Sequence, residues 1–390
     1  MNKKLQIALV MQGGEYWLGG TEYIKNIVLA LASLPVELRS TFEVSLICPK
    51  EFNHSLYSGI DSHLDQINYL EPRTLPKRLY WKAKKVLLKQ DDPQLEAFLK
   101  QKTFDFVYPC LTHCCPSAAW IYDFQHKYLP QFFTQREIKQ RDRAFARIAQ
   151  QATTVVLSSK TAEADFQCFF PKAAHKATVL SFKTCPPPSW YEAKPEEVQQ
   201  QYDLPNRFFI VSNQFWKHKN HLVLFEALKF LREQAIYPIV VCTGRIENSH
   251  QPEFVQTIRQ AVETAGITQQ VHLLGMIPRL DQIQLMRRSL AVIQPSLFEG
   301  WSTVVEDARV LGKPTILSDI SVHLEQNPPN SIFFEQHSPQ HLAKLLADWW
   351  MQLSPGPDVE QEVLARAKNI QEVQGFGQQF LSIAMRSLAH

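Results

Sequence analysis

Glu299 stands in a short loop, Gln294–Ser302 (QPSLFEGWS), between the apolar run Leu290–Ile293 and a helical stretch from about Thr303 to Leu311. That helical stretch carries two adjacent acids, Glu306 and Asp307. Carboxylates placed there would accept hydrogen bonds from hydroxyl groups, while the helix start offers unpaired N–H groups and a positive dipole end, which suits a phosphate. Gly312-Lys313-Pro314 stops the helix, and Thr315–Leu317 opens another strand. The order is strand, loop, helix, strand. In an open α/β sheet ligands sit outside the carboxyl ends of strands, where such a loop lies.

Cations and glycines occupy comparable places. Ser212–His221 (SNQFWKHKNH) follows the strand-like Phe208–Ser212 and precedes an amphipathic helix over Leu222–Leu231, so the Lys219 ammonium falls where a diphosphate could be held. An exposed basic loop is the plain alternative. Gly13-Gly14 and Gly19-Gly20 follow the first strand, with Thr21-Glu22 opening a helix. Glycine lets backbone N–H groups approach a pyrophosphate closely. The pattern is not the dinucleotide fingerprint G-x-G-x-x-G, and a surface loop would explain it equally well. Trp120–Pro130 (WIYDFQHKYLP) sets Asp123 and His126 just after an apolar stretch; His113, in LTHCCP, competes with His126. His113-Cys114-Cys115 lacks the spacing of a zinc site.

The stretch Gln294–Ser321 resembles the donor-binding motif of retaining glycosyltransferases of the GT-B fold, family four in the usual classification. The matching positions are Glu299, Gly300-Trp301-Ser302 and the Glu306-Asp307 pair. Six residues separate Glu299 from Glu306 and seven separate it from Asp307; the family's spacing is the latter. The resemblance implies that Glu299 lies beneath the donor sugar and that N–H groups of Ser302, Thr303 and Val304 face the phosphates. One of Glu306 and Asp307 would bind ribose, although Thr303-Val-Val-Glu306 is also a capping box. It further implies that His126 contacts the donor sugar, that Gly19 and Gly20 lie by the phosphates, and that Met276 and Ile277 meet the base through their backbone. Lys219 matches the family's diphosphate lysine. The accompanying arginine position holds Asn213 or Gln214, leaving Lys217 or Arg245 to supply that charge.

The fold implied is α/β: two Rossmann-like doubly wound domains facing a cleft, with a C-terminal helix crossing back to the first. The alternation of strand and helix patterns agrees. In the first half the strand-like runs are Leu5–Met11, Phe42–Cys48, Phe104–Tyr108, Thr153–Leu157 and Ala177–Phe182, with a helix around Thr21–Leu34. Pro186-Pro-Pro188 reads as a linker. The second half repeats the rhythm at Phe208–Ser212, Ile239–Thr243, Val271–Leu274, Ala291–Gln294 and Thr315–Ser318, and two helices, Val359–Gln371 and Phe376–Leu388, close the chain. The domains are placed at 1–188 with 372–390, and at 189–371.

With 390 residues, 45% hydrophobic and 20% charged, the chain can bury two sizeable cores. Leu5–Met11 reads as a buried strand and not as a signal peptide, no run is long enough to span a bilayer, and seven scattered cysteines favour reduced thiols in a cytoplasmic protein. Residues 1–191 hold 24 Lys and Arg against 17 Asp and Glu, whereas residues 192–390 hold 17 against 21. That asymmetry hints at an anionic partner for the first half and is too weak for nucleic acid. Lys77–Lys89 (KRLYWKAKKVLLK) holds six basic residues. As a helix it is either a surface element with its apolar face in the core or a peripheral contact with the inner membrane face.

The expected function is transfer of a sugar, with retention, from a nucleotide-sugar donor to a glycan or lipid-linked acceptor hydroxyl in surface polysaccharide assembly. No cofactor or metal is expected beyond the donor itself, since the sequence holds no Asp-x-Asp and no ligand cluster. The competing readings are an epimerase or phosphorylase of the same fold, and a non-catalytic nucleotide-sugar-binding protein.

Overall fold

The computed structural model describes residues 3–14, 17–71, 92–246 and 252–388. The basic stretch 77–89 therefore lies outside the described residues. The chain divides into two compact units, Met1–Phe124 with Gln135–Cys185 and Ile370–His390, and Gln125–Thr134 with Pro186–Asn369.

The first unit is built on parallel strands β1 (Leu5–Val10), β2 (Phe42–Pro49), β3 (Gln66–Leu70), β4 (Phe106–Tyr108), β5 (Ala118–Ile121), β6 (Thr154–Leu157) and β7 (Ala177–Val179). They run in the orders β3-β2-β1-β4 and β5-β6-β7, and a parallel bridge from Val107 to Ser117 links the two sets. Ile7, Ala8 and Leu9 are fully buried. A strand covered on both faces has no polar side to show, which is why β1 reads as an unbroken apolar run. The helix Leu18–Ala32 begins earlier than the sequence suggested, so Gly19 and Gly20 lie in its first turn.

The second unit holds a six-stranded sheet of β8 (Phe209–Ser212), β9 (Val240–Thr243), β10 (Val271–Gly275), β11 (Val292–Gln294), β12 (Thr315–Ser318) and β13 (Ser331–Phe334). All pairings are parallel and the order is β10-β9-β8-β11-β12-β13. Counted from β8 this is 3-2-1-4-5-6, the doubly wound order, with its switch point between β8 and β11. Two apolar layers cover the sheet. The helix His221–Glu233, after β8, contributes Leu224 and Leu228 to one of them. The helix Thr303–Val310, after β11, contributes Ala308 and Val310 to the other. The two chains thus leave adjacent strands toward opposite faces and open a crevice between them.

One expectation is corrected. The last stretch is one helix, Val359–Leu388, and not two. Gly375 and Gly377 both lie within this helix, where tertiary packing outweighs their local propensity cost. The ten residues Gln125–Thr134 are set apart from their neighbours in sequence. They belong to the second unit, where Tyr128 stacks on Phe298 with centroids 5.5 Å apart.

Candidate active site at the switch point of the second unit

Backbone bonds first draw the loops together. Leu297 N–H donates to His218 O at 2.8 Å, tying the loop after β11 to the loop after β8. Gly244 has φ +131°, and a Cβ there would stand 2.0 Å from Asn213 O, so only glycine lets the loop after β9 close on the loop after β8. Arg245 N–H donates to Gln214 Oε1 at 3.0 Å.

On this frame Lys219 and Glu299 form a nearly buried ion pair, Nζ to Oε1 2.6 Å, with side chains 14% and 9% exposed. Two further donors converge on the same oxygen: Gln294 Nε2 at 2.9 Å and Ser296 Oγ at 2.7 Å. Asn213 Nδ2 donates to Gln294 Oε1 at 2.8 Å, which fixes the amide so that its nitrogen faces Glu299. Asn213 therefore acts through Gln294 and is itself buried. Oε1 is saturated by three donors, and the second carboxylate oxygen, Oε2, takes part in none of these bonds. That oxygen is the one available to a ligand.

The electrostatics keep Glu299 ionised. Burial pushes its carboxyl up, but the charges of Lys219, His218 and His323 and the Lys219 hydrogen bond outweigh it, holding the pKa at about 2. His323 is fully buried, and burial takes its pKa down to about 4 despite the opposing pull of Glu299 and Ser318. Its Nδ1 lies 3.0 Å from Ser318 O, a carbonyl that can only accept, so the proton sits on Nδ1. Ser318 Oγ in turn donates to Ser296 O at 2.6 Å, which braces the loop carrying Glu299.

The helix start after Glu299 differs from the expected capping box. Ser302 and not Thr303 is the N-cap, with Oγ accepting from Val305 N–H at 3.4 Å. Ser302 N–H is spent on Gln326 Oε1 at 3.1 Å, leaving Thr303 and Val304 as the first-turn donors. Glu306 is fully buried, accepts from Gln326 Nε2 at 3.0 Å and pairs with Arg309 at 3.3 Å. Asp307 is fully buried too and pairs with Arg279 at 2.6 Å. Both acids of the pair are thus enclosed.

The remaining predicted residues are placed as follows. Lys217 is exposed, and Gly300, Trp301 and Arg245 are half-buried. Met276 is exposed and takes a contact from Gln214 Nε2 to its sulfur at 3.6 Å, while Ile277 packs against the apolar layer. His126 is buried in the short helix Gln125–Tyr128, edge-on to Phe133. The Tyr128–Phe298 stack brings that segment against the Glu299 loop. Gly19 and Gly20 belong to the first unit. Sequence reasoning missed Gln294, Ser296, His323, Gln326 and Arg279. Only Gln294 left a trace, as a polar residue closing an otherwise apolar strand.

Residues 194–353 match the model of the family described as glycosyl transferases group 1. That match lies within the second unit. Among curated proteins none matches the chain in sequence. Solved structures do match over nearly the whole chain. Anabaena HepE in complex with UDP and glucose is similar at 16% identity and TM-score 0.68, covering 97% of this chain and 98% of its own. A glycosyltransferase from Rickettsia africae is similar at 16% and 0.66, with 99% of each chain covered. Sucrose-phosphate synthase from Thermosynechococcus elongatus gives 16% and 0.66, covering 98% and 97%. Likeness at this identity establishes the fold, which is GT-B. The Glu299 loop and Lys219 both fall inside the residues matched by that family.

Proposed function

We propose that this protein is a group 1 glycosyltransferase that moves a sugar from a nucleotide-sugar donor to a hydroxyl of a glycan or lipid-linked acceptor, with retention of configuration and without a metal. A cytoplasmic place in surface polysaccharide assembly goes with that reading. The observation that carries it is the Lys219–Glu299 pair at the switch point, with one carboxylate oxygen saturated and the other left to accept from sugar hydroxyls. Complexes of HepE with UDP and with UDP-glucose support a uridine diphosphate donor.

In the reaction, Glu299 orients the sugar through its hydroxyls. Lys219 and the N–H groups of Thr303 and Val304 stabilise the negative charge that grows on the diphosphate as the glycosidic bond to it breaks. The acceptor hydroxyl attacks from the face the diphosphate leaves and gives its proton to a departing diphosphate oxygen, so configuration is kept. Preorganised donors aimed at the developing charge supply most of the rate gain. The test is incubation with a panel of nucleotide sugars, following released nucleotide and the anomeric configuration of the product by NMR. Turnover that Glu299→Ala abolishes supports the reading. Binding of the donor with no nucleotide released, with or without acceptor glycans, would make the protein a non-catalytic binder, and an inverted product would remove retention.

A further inference from the structure

Gln294 is a fully buried amide closing β11, after two apolar residues of the same strand. A leucine of similar size would serve the fold, whereas a buried amide has to be matched group by group. Its two ends meet different partners. Oε1 accepts from Asn213 Nδ2 at 2.8 Å. Nε2 donates to Glu299 Oε1 at 2.9 Å and lies 3.2 Å from Ser302 Oγ and 3.3 Å from Ser296 Oγ. A flipped amide would turn its oxygen on the ionised carboxylate and its amino group on that of Asn213, so the orientation is set from both ends. One side chain thus ties the end of β8 to Glu299 and to the N-cap of the helix Thr303–Val310. Lys219 also holds Glu299, but a lysine that meets a diphosphate shares its charge between two anions. Gln294 and Ser296 are neutral and buried, and a diphosphate exerts no comparable pull on them.

We propose that Gln294, oriented by Asn213, is a positioning residue that keeps the Glu299 carboxylate in place while Lys219 is shared with the departing diphosphate. This rests on the reading of the site as a nucleotide-sugar site. The demand on Gln294 grows as charge develops on the leaving group, so its loss lowers kcat more than it raises the donor KM. The charged and titratable groups around the carboxylate are Lys219 and His218, from the loop after β8, and His323, from the helix Ser321–Gln326. All three stay in place in the variants below, so the ratio of variant to wild type cancels their own titration.

Gln294→Glu keeps the shape of the side chain and replaces its donating amino group by an oxygen, setting two carboxyl groups against each other. Such a pair retains one proton to higher pH than a lone carboxyl does. With that proton in place the new carboxyl donates to Glu299 as the amide did. Release of nucleotide from UDP-glucose, or from whichever nucleotide sugar wild type turns over fastest, is followed near pH 8 and near pH 6. The kcat of Gln294→Glu is expected to lie about tenfold below wild type at the higher pH, the scale of one charge-assisted hydrogen bond, and to climb back toward it at the lower, with the donor KM little changed. Asn213→Asp is measured beside it, in case the first variant does not fold. It faces Gln294 Oε1 with an acceptor, turns the amide over and should lower kcat by a similar factor near pH 8. A Gln294→Glu to wild-type ratio of kcat that is the same at both pH values, or an Asn213→Asp protein with wild-type kcat, overturns the proposal. A wild type that releases no nucleotide from any nucleotide sugar overturns the nucleotide-sugar reading, and the proposal falls with it.

Discussion

Lys219 and Glu299 leave neighbouring parallel strands, β8 and β11, and meet at 2.6 Å with most of both side chains out of solvent. Removing one partner leaves the other charge buried and unpaired. Lys219→Met and Glu299→Gln are each expected to lose about 3–5 kcal/mol of stability. The double variant should recover much of that loss and remain inactive. Urea unfolding with an assay of nucleotide release checks both halves, and a double variant no more stable than the singles would show that the pair is not the source.

Acid acts on the same site through opposite groups. The Glu299 pKa lies below its unfolded value, so its stabilisation is complete above about pH 4.3 and is lost as pH falls through about 2. His221 behaves differently. Burial, with help from Lys219, holds its pKa at about 3, and the ring stacks on Phe215 at 4.4 Å with neither nitrogen hydrogen-bonded to any described residue. The unfolded chain takes up a proton near pH 6.5 that the folded one refuses, so stability falls as pH drops from 6.5 toward 3. His221→Leu should keep stability at pH 7 and flatten the fall in Tm between pH 7 and pH 5. An unchanged pH slope would contradict this.

The central strands were legible because burial on both faces writes an apolar run into the sequence; β12 is expected and found at Thr315–Ser318. The edges were not. β3 (QINYL) and β13 (SIFF) are only partly buried, and β5 (AAWI) is short and rich in small residues, so none shows a period. The same limit applies to the site. Glu299 and Lys219 could be read because a charged residue beside a strand end is conspicuous. Gln294 and Ser296 matter through hydrogen bonds that exist only once the loop turns Glu299 back onto the end of β11, and Gln326 through one that needs the helix Ser321–Gln326 beside Ser302. The enclosure of Asp307 depends on Arg279, a partner 28 positions away, and no spacing rule brings the two together.

The two glycines of the last helix separate local propensity from packing. A Cβ at Gly375 would meet nothing within 4 Å, whereas one at Gly377 would stand 2.6 Å from Ala30 O of the helix Leu18–Ala32. Gly375→Ala is expected to stabilise the protein by about 0.5–1 kcal/mol, the helix-propensity gain. Gly377→Ala must push backbone apart and should cost about 1–3 kcal/mol. Thermal unfolding of the two variants checks the contrast; equal shifts of the same sign would mean that the two helices do not pack as closely as described.

Lys313 gives the chain a second pH dependence, on the alkaline side. Burial takes its pKa down from 10.5 to about 7, opposed by the nearby Glu362 carboxylate, and its Nζ donates to Arg287 O at 2.9 Å. Arg287 itself bonds Glu362 through Nε at 2.7 Å and Nη2 at 3.0 Å. Between about pH 7 and 10.5 the unfolded chain carries a proton on this lysine that the folded chain has released. Stability therefore rises with pH across that window, and the full cost of burying the charge is felt below it. Lys313→Met removes the titrating group and keeps the length of the side chain. It should raise Tm at pH 6 relative to wild type and bring the two proteins closer together by pH 9. A difference that stays constant over that range would mean that Lys313 keeps its proton in the fold, held by Glu362 more strongly than burial expels it.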